Sequence, residues 1–375
     1  MSHETTLLAI GDVLIDRPDP PTIFANVADV LRSADITFAQ LEQMYSDKGC
    51  PGPIHASYSN PINISAFSHI GLDVAGLAGN HALDWGAEAL LDTIRRLREA
   101  GIGVLGAGAN LDEARQPLIF EKNGCKIAFL GYCCTGPEGY EATHSKPGFA
   151  PVRVWTLYKQ LDYQPGTPPL VVTFPYKEDM DDMIADIRKV KTRADVVIVS
   201  IHWGIHFQPV SIPDYEFEVG HAAIDAGADL ILGHHPHLLK GIEIYKGKVI
   251  FHSLGNFALE LNPEWRGQKQ VHTKEYMDKI GKKLYGFDPD PEYPTVPFHP
   301  DFKMTMIAKA IITDKKVKQI SYLPCYINKK AEPEIQIGKT QFAEEVYKYV
   351  ESISNAQKFK VQFKWKNSEV LIDGL

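Results

Sequence analysis

The sequence predicts an α/β protein, because short apolar runs alternate with amphipathic stretches over the first two thirds of its 375 residues. The apolar runs have the length of buried strands, and the stretches between them repeat apolar residues at helical spacing. Polar side chains also follow several of the runs directly, as they do where parallel strands end at a ligand site. With 44% hydrophobic and 23% charged residues, the chain can bury a sizeable core.

Each element follows from its own local pattern. The helix over 87–100 has the clearest pattern, since Leu90, Ile94 and Leu97 recur on one face and Gly101 ends it. Asn123 and Gly124 predict a tight hairpin turn between two strands. The predicted strands are 7–10, 36–41, 74–77, 104–105, 119–120, 126–131, 196–201, 230–232 and 249–251. The other predicted helices are 21–31, 64–69, 180–192 and 215–226.

One catalytic domain is predicted over residues 1–328, with loop insertions at about 135–176 and 262–300 that are rich in Pro, Gly and aromatic residues. Segments 303–313 and 317–324 have the pattern of a closing antiparallel hairpin. A C-terminal extension over 329–375 holds one predicted helix, 341–354, and a final strand, 359–365. The insertions could cover the site, pack internally or contact another subunit, so a homo-oligomer is left open.

The composition excludes several classes of protein. The net charge of −8, from 39 Lys and Arg against 47 Asp and Glu, lacks the positive field that non-specific nucleic-acid binding needs. The odd number of cysteines and the adjacent Cys133 and Cys134 favour a reducing compartment. We expect neither a secretory signal nor a membrane span, since no apolar stretch reaches the roughly 18 residues required. The predicted localisation is cytoplasmic.

Candidate metal ligands follow six of the predicted strands. They are Asp12, Glu42, Asn80 with His81, His202, the histidines of Gly233-His234-His235-Pro236-His237, and His252. Because the carboxyl ends of parallel strands meet, we expect these side chains at one edge of the sheet. Carboxylate, amide and several imidazole ligands favour Mn²⁺, Fe²⁺ or Zn²⁺ over Mg²⁺ or Ca²⁺. Two such ions sharing one carboxylate would activate water, so the pattern predicts a hydrolase.

Most of these residues also have a purely structural interpretation. Asp12 could be a turn residue, Asn80 could adopt a left-handed turn, and Glu42 could be a solvated loop acid. His202 could be a hydrogen-bonded core histidine. Three histidines within residues 234–237 have no ordinary structural purpose, and their order with the other blocks favours the metal interpretation.

The same blocks resemble those of a known family. They are Gly11 to Arg17, Leu41-Glu42, Asn80 to Gly86, His202-Trp203-Gly204, Gly227-Ala228-Asp229, Gly233 to His237 and Ser253 to Phe257. Taken in order over about residues 6–260, they are similar to the capsule-synthesis branch of the calcineurin-like metallophosphoesterases, the CapA and PgsA family of poly-γ-glutamate biosynthesis. The resemblance implies a four-layer α/β/β/α metallophosphoesterase-like sandwich with a dinuclear metal site.

The resemblance also implies a role for each matched residue. Glu42 would bridge the two ions, and His81 would be the acid that stabilises charge or protonates the leaving group. The other implied ligands are Asp12 and His237 at the first ion, and Asn80, His202 and His235 at the second. The implied catalytic set is His81, Asp12 and Asn80.

One departure from the family pattern concerns the first ion. Phosphoesterases carry a histidine two residues after the first aspartate, and this chain has Leu14 there, so a single ion is an alternative to two. Substrate contacts are predicted for Arg17, His206, His234 and Asn256. Structural turn roles are the equal alternative for Arg17 and Asn256. For His206, as for His252, the alternatives are support of a ligand or a surface position, and His234 could be a spectator.

The expected function is metal-dependent hydrolysis, in which a metal-bound hydroxide attacks an amide bond of γ-glutamyl type in a small or polymeric substrate. The altered ligand set and the family's link to poly-γ-glutamate favour an amide. Phosphoester hydrolysis is the alternative activity. A non-catalytic accessory protein that binds capsule polymer is the alternative from another class. Nucleotide binding has weaker support, because residues 106–110 form only a partial glycine motif.

Overall fold

A computed structural model describes residues 4–52, 57–261 and 282–374 of the chain. The strands among these residues are β1 (Thr5–Leu14), β2 (Ile36–Leu41), β3 (Met44–Tyr45), β4 (Tyr58–Ser59), β5 (Val74–Gly76), β6 (Gly103–Leu105), β7 (Ala107–Gly108), β8 (Leu118–Lys122), β9 (Cys125–Cys133), β10 (Gly148–Phe149), β11 (Val154–Lys159), β12 (Leu170–Pro175), β13 (Val196–His202), β14 (Leu230–His234), β15 (Ile242–Tyr245), β16 (Lys248–Phe251), β17 (Asn256–Leu259), β18 (Met304–Thr313), β19 (Lys316–Ile327), β20 (Pro333–Ile335), β21 (Gln362–Lys366) and β22 (Glu369–Asp373).

The helices among the described residues are fewer than the strands. They are α1 (Ala28–Arg32), α2 (Ile64–His69), α3 (Gly86–Glu99), α4 (Leu111–Ala114), α5 (Lys177–Lys191), α6 (Asp214–Ala226), α7 (Lys282–Tyr285) and α8 (Gln341–Ala356), with 3₁₀ turns at Pro20–Phe24, Pro61–Asn63 and Pro300–Lys303. None of these helices is both long enough and apolar enough to cross a membrane.

Two large sheets organise the described chain. The first has the strand order β21-β22-β19-β18-β1-β2-β5-β6, with β17 also paired to β1 and β20 to β19. The second has the order β15-β16-β14-β13-β9-β8. In the first sheet, β1, β2, β5 and β6 run parallel, and in the second, β9, β13, β14 and β16 do so. Parallel pairing places the carboxyl ends of each set along one edge of its sheet.

Successive side chains along each strand point to opposite faces of the sheet, and this alternation explains how the sheets pack. In β1, Leu7 and Ala9 join a core shared with the second sheet, while Leu8 and Ile10 face a separate core lined by the helices that follow β1 to β5. Between the sheets, the rings of Phe38 and Phe129 stack with centroids 6.4 Å apart. Helices α5 and α6 supply side chains to a third core on the other face of the second sheet. The predicted α/β sandwich is therefore confirmed.

Two predicted elements differ from those observed. The helix predicted over 21–31 is divided into the 3₁₀ turn Pro20–Phe24 and the short α1, and the break at residues 25–27 contains Asn26, a residue of low helix propensity. The insertion 135–176, predicted as a loop, contains the antiparallel hairpin of β11 and β12. Its strands, 154–159 and 170–175, are rich in β-branched and aromatic residues, which outweigh the turn-forming Pro and Gly around them.

The C-terminal residues join the main sheet. Strands β20 and β22 pair with β19, and β21 pairs with β22. Val346, Val350 and Ile353 of α8 lie in the core that the two sheets share. Of the second predicted insertion, residues 262–281 lie outside the described residues, and β18 (Met304–Thr313) follows it where the strand 303–313 is predicted.

Asp229 connects α6 to β14 and fixes the start of the strand that carries the histidine cluster. Its Oδ2 accepts hydrogen bonds from the Val197 amide at 3.0 Å and from Lys191 Nζ at 2.5 Å, and its Oδ1 accepts one from Lys248 Nζ at 2.6 Å. Burial acts to raise the pKa of Asp229, but the hydrogen bonds from Lys191 and Lys248 outweigh it and hold the pKa below its ordinary value.

We expect Asp229→Asn to lower the free energy of unfolding by about 1.5–3 kcal/mol at neutral pH, because the partly exposed Lys191 and Lys248 lose their charged acceptor. The folded pKa lies below the unfolded one, so the stabilisation is complete above about pH 4 and is lost as pH falls through the folded value. Urea unfolding between pH 7 and pH 3 measures it. The exposed pair of Asp225 and Lys246 supplies the control Asp225→Asn, for which little or no change in the free energy of unfolding is expected. An equal loss in both variants would contradict the assignment.

Candidate metal centre

The strand ends of both sheets supply the candidate ligands. Asp12 lies in β1, and Glu42 and Asn80 follow β2 and β5 in the first sheet. His202 is the last residue of β13, and the cluster 234–237 begins at the last residue of β14 in the second sheet. The expectation that all these side chains share one sheet edge is therefore wrong, because the edges of two packed sheets face one another here.

An irregularity in β1 aims Asp12 at the site. The register between β1 and β2 shifts between Ile10 and Asp12, which is a bulge of the kind often found beside functional sites. Gly11 allows β1 to approach the loop before β17, since a Cβ at this position would lie 2.0 Å from the carbonyl oxygen of Gly255. The Asp12 amide donates to that same carbonyl at 2.9 Å.

Three buried side chains form the centre of the site. Asp12, Glu42 and His202 each offer one ligand atom, and these atoms lie within 4.8 Å of one another. The three residues are at most 2% exposed. Two carboxylates and an imidazole at these separations match the ligand set of a first-row divalent cation.

His202 Nε2 is the point where several candidate ligands meet. It lies 2.8 Å from Asn80 Oδ1, 3.2 Å from His235 Nδ1 and 3.4 Å from Glu42 Oε1. One imidazole nitrogen carries at most one proton, so it cannot satisfy three neighbours that all have lone pairs. A cation shared among these atoms would satisfy them together.

Buried oxygens give an independent test of whether a cation fits. Within the described residues, Asp12 Oδ1 and Glu42 Oε1 are buried and have no hydrogen-bond donor. Buried carboxylate oxygens without a partner are costly, and metal coordination is one of the ways in which proteins stabilise them. The residues present therefore fit a divalent metal ion.

The pKa shifts of the residues at the site also fit a bound metal ion. Burial raises the pKa of Glu42 well above its ordinary value, and the nearby carboxylates Asp12 and Asp84 raise it further. Burial also lowers the pKa of His202 and His235 well below that of a free imidazole, and neighbouring histidines add to the effect. Neutral imidazole is the form that binds metal, and a cation would restore the ionised form of Glu42.

His81 lies at the open side of the site and is held by Asp84. His81 Nδ1 is 2.7 Å from Asp84 Oδ2, while its Nε2 is 3.9 Å from Glu42 Oε2. The His81 side chain is 21% exposed, whereas Asp84 is fully buried and also accepts from the Ser57 amide at 3.0 Å. Sequence reasoning gave Asp84 no role. Its spacing three residues after His81 is the signal that could have identified it.

His235 and His237 are held in unusual backbone conformations. Their φ angles are +98° and +57°, a region that non-glycine residues rarely adopt and that recurs at functional sites. The His235 amide donates to Asp12 Oδ2 at 3.1 Å, so the backbone itself orients that carboxylate. His237 Nδ1 is 3.8 Å from the same oxygen and 2.7 Å from Asn256 Oδ1. Asn256, predicted to contact substrate, thus contacts a candidate ligand.

The two remaining histidines predicted to contact substrate also lie at this site. The ring of His206 lies against that of His235, with centroids 3.9 Å apart and an angle of 33° between the ring planes. His234 is fully buried, with Nδ1 3.4 Å from Asp12 Oδ1 and its ring 5.6 Å from that of Phe38. The burial of His234 places it beneath Asp12, on the side away from solvent.

Leu14 lies in an apolar cluster and not among the polar ligands. It is 4% exposed and belongs to a group that includes Phe207, Leu238, Leu259 and Phe298. Where phosphoesterases carry a histidine, this chain therefore places a hydrophobic contact. The ligand set predicted for the first ion is reduced to Asp12, Glu42 and His237.

Two further predicted residues make extensive contacts of their own. Arg17 donates to both oxygens of Glu260, at 2.9 and 2.8 Å, and to the Lys330 carbonyl at 2.8 Å. His252 is fully buried, 3.2 Å from Glu216 and 3.1 Å from Glu243. Burial acts to lower the pKa of His252, but the two carboxylates outweigh it and raise the pKa. His252 thus belongs to a separate ionic cluster.

Comparison with known proteins shows the family of this chain. The family described as bacterial capsule synthesis protein PGA_cap matches residues 6–260. The PGA biosynthesis protein CapA of Bacillus subtilis strain 168 is 29% identical over 264 residues, which are 67% of this chain and 62% of the relative. The capsule biosynthesis protein CapA of Bacillus anthracis is 29% identical over 289 residues, 73% of this chain and 64% of the relative.

A third relative has a different description. A probable polyglutamine synthesis accessory protein of Mycobacterium tuberculosis is 32% identical over 202 residues, 52% of this chain and 48% of the relative. The chain therefore spans less than two thirds of the length of each of these relatives. The family match, in contrast, covers more than half of the chain and includes every candidate ligand. The chain belongs to the bacterial capsule synthesis protein PGA_cap family.

Proposed function

We propose that this protein is a divalent-metal-dependent hydrolase that cleaves an amide bond of γ-glutamyl type. The observation that carries the proposal is the convergence of Asn80, His235 and Glu42 on His202 Nε2, with His81 at the open side. The names of the Bacillus relatives, which refer to PGA and capsule biosynthesis, support a glutamyl substrate.

Each residue has a defined task in this proposal. Asp12, Glu42, Asn80, His202, His235 and His237 would hold the metal. When bound, a divalent ion supplies Lewis-acid polarisation of the scissile bond and lowers the pKa of water. The buried position of these ligands excludes bulk water and strengthens their charges.

His81 would complete the hydrolysis as the proton donor. With Nδ1–H held by Asp84, the proton on Nε2 of the imidazolium faces the site and can pass to the leaving amine nitrogen. The water that adds to the carbonyl carbon then supplies the carboxylate oxygen of one product. Asp84 acts through His81, as a positioning residue.

The test is a comparison of two substrates under one set of conditions. Purified protein loaded with Mn²⁺ or Zn²⁺ is expected to release nitroaniline from γ-glutamyl-p-nitroanilide, and His81→Ala is expected not to. Bis(p-nitrophenyl) phosphate tests the phosphoester alternative. Turnover of the phosphodiester alone would replace the amide proposal.

The second candidate function is that of a non-catalytic accessory protein that binds capsule polymer. The description of the M. tuberculosis relative as a probable accessory protein favours it. In that case the protein is expected to bind poly-γ-glutamate and to hydrolyse neither test substrate. The His81→Ala variant is expected to bind the polymer as the wild type does. Isothermal titration with poly-γ-glutamate separates the two functions.

A further inference from the structure

The hairpin of β11 and β12 concentrates exposed apolar side chains. Of the large hydrophobic residues that the described chain exposes, more than half lie between residues 155 and 174. They are Trp155 (51% exposed), Leu157 (53%), Tyr158 (70%), Leu161 (60%), Tyr163 (85%), Leu170 (46%), Val171 (49%) and Phe174 (40%). Such a concentration of exposed apolar side chains usually marks an interaction surface.

One face of the hairpin is almost wholly apolar. Directly opposed residues on antiparallel strands share a face, and the opposed pairs here are Trp155 with Phe174, Leu157 with Val172, and Lys159 with Leu170. Lys159 is the one charged residue among them. A two-stranded hairpin is only marginally stable in water, so a surface of this composition needs a partner.

The hairpin is anchored to the body of the protein through β12. The Tyr215 amide of α6 donates to Thr173 Oγ1 at 3.3 Å, and Trp155 stacks on Tyr176 with ring centroids 4.5 Å apart. Within the described residues, β11 pairs only with β12, so its outer edge offers backbone donors and acceptors. Proteins usually protect such an edge with charges, proline or a bulge, and in β11 only its last residue, Lys159, is of this kind.

We propose that a second copy of this chain covers the edge, with β11 of the two copies paired antiparallel about a two-fold axis at Leu157. This register opposes Leu157 to Leu157, Thr156 to Tyr158, and Trp155 to Lys159 of the other copy. The first is an apolar pair, the second pairs a β-branched with an aromatic side chain, and the third sets a cation against an aromatic ring. Centring the axis on Thr156 would instead place Lys159 opposite Arg153 of the other copy, and repulsion between these like charges disfavours that register.

The charges and the area of the hairpin argue for this partner over others. An anionic polymer needs cations, and the apolar face offers Lys159 alone. An anionic membrane would meet the exposed carboxylates of Asp162 at the tip and Glu178 in the first turn of α5. Pairing along the six residues of β11 buries only a small area in each copy, because most exposed aromatic side chains lie on the two faces or the tip of the hairpin and not at its edge. A standard interface needs about 800 Å² per partner, so we expect a reversible, concentration-dependent dimer.

Sedimentation equilibrium of the 375-residue chain tests the proposal. We expect dimerisation in the wild type, and at least tenfold weaker dimerisation in Leu157→Lys, which sets like charges opposite each other at the axis. Ile337, 77% exposed and outside the hairpin, supplies the matched control Ile337→Lys, expected to dimerise as the wild type does. A monomeric wild type at all concentrations, or a dimer that Leu157→Lys leaves intact, would overturn the proposal.

Cysteine cross-linking tests the register itself. In a Cys50→Ser background, which removes the exposed native thiol, Leu157→Cys is expected to form a disulfide-linked dimer on mild oxidation. Leu170→Cys is the control, because the two copies of β12 lie three strand spacings apart, about 14 Å, in the proposed sheet. Cross-linking of Leu170→Cys but not Leu157→Cys would overturn the edge pairing. If the protein is instead a monomer that co-sediments with phosphatidylglycerol vesicles, the hairpin contacts membranes and the dimer proposal is overturned.

Discussion

His202→Ala is expected to abolish stoichiometric metal binding, with an affinity loss of about 100-fold or more. His202 Nε2 is the atom closest to three other candidate ligands, at 2.8 to 3.4 Å, so its removal breaks every pairing that shapes the site. Substitution of groups that merely support metal ligands costs about 10–100-fold, and loss of a direct ligand is expected to cost at least the upper value. Elemental analysis of protein purified without chelator, followed by metal titration, measures the effect.

The control for this prediction is a histidine bonded to a carboxylate outside the site. His221 Nε2 lies 2.8 Å from Glu243 Oε1, and His221→Ala is expected to retain wild-type metal content. Asp12→Ala and His235→Ala are expected to lose metal as His202→Ala does. Full metal content in His202→Ala would rule out the proposed centre. In the wild type, near two ions per chain supports the dinuclear arrangement, whereas near one supports a site reduced by Leu14.

His81→Ala is expected to lower kcat for γ-glutamyl-p-nitroanilide by about 10²–10⁴-fold while metal content stays unchanged, because a proton donor is lost without a ligand. Asp84→Asn is expected to cost about 10–100-fold in kcat with little change in KM, since the 2.7 Å contact that orients His81 loses its charge. Steady-state kinetics on metal-loaded protein measure both effects.

An exposed histidine on the segment after β9 provides the control for these two variants. His144→Ala is expected to keep wild-type kcat. If Asp84→Asn lowered metal content or raised KM with kcat intact, Asp84 would be a structural residue and not a positioning residue for His81. If His81→Ala retained full kcat, the proton would have to come from another group.

Much of the fold follows from local patterns. The strand 36–41 and the helix 64–69 are observed with the bounds predicted, because apolar runs of strand length and helical spacing of apolar residues are local properties. The Asn123-Gly124 turn is observed too, with φ angles of +51° and +74°. The hairpin of β11 and β12 was missed because each strand is exposed and lacks the buried, alternating pattern that marks a strand.

For the candidate site too, some features followed from the sequence and others did not. The order of the blocks containing Asp12, Glu42, Asn80, His202 and residues 233–237 identified the family that comparison then confirmed. Residue type and position after a strand were enough for this, since strand ends are where parallel sheets collect ligands. Residue type and strand position did not assign the roles of Arg17 and His252, because these depend on partners that include Glu260, 243 residues from Arg17, and Glu216, 36 residues from His252.

The sequence by itself determined the α/β class, the family and the identity of the candidate ligands, because these depend on residue types and their spacing along the chain. Only the tertiary structure decided that the ligands come from two sheets, that Asp84 holds His81, and that Leu14 lies in an apolar cluster. Distances between residues far apart in sequence depend on how the sheets pack, and that packing is set by the whole core and not by any one motif.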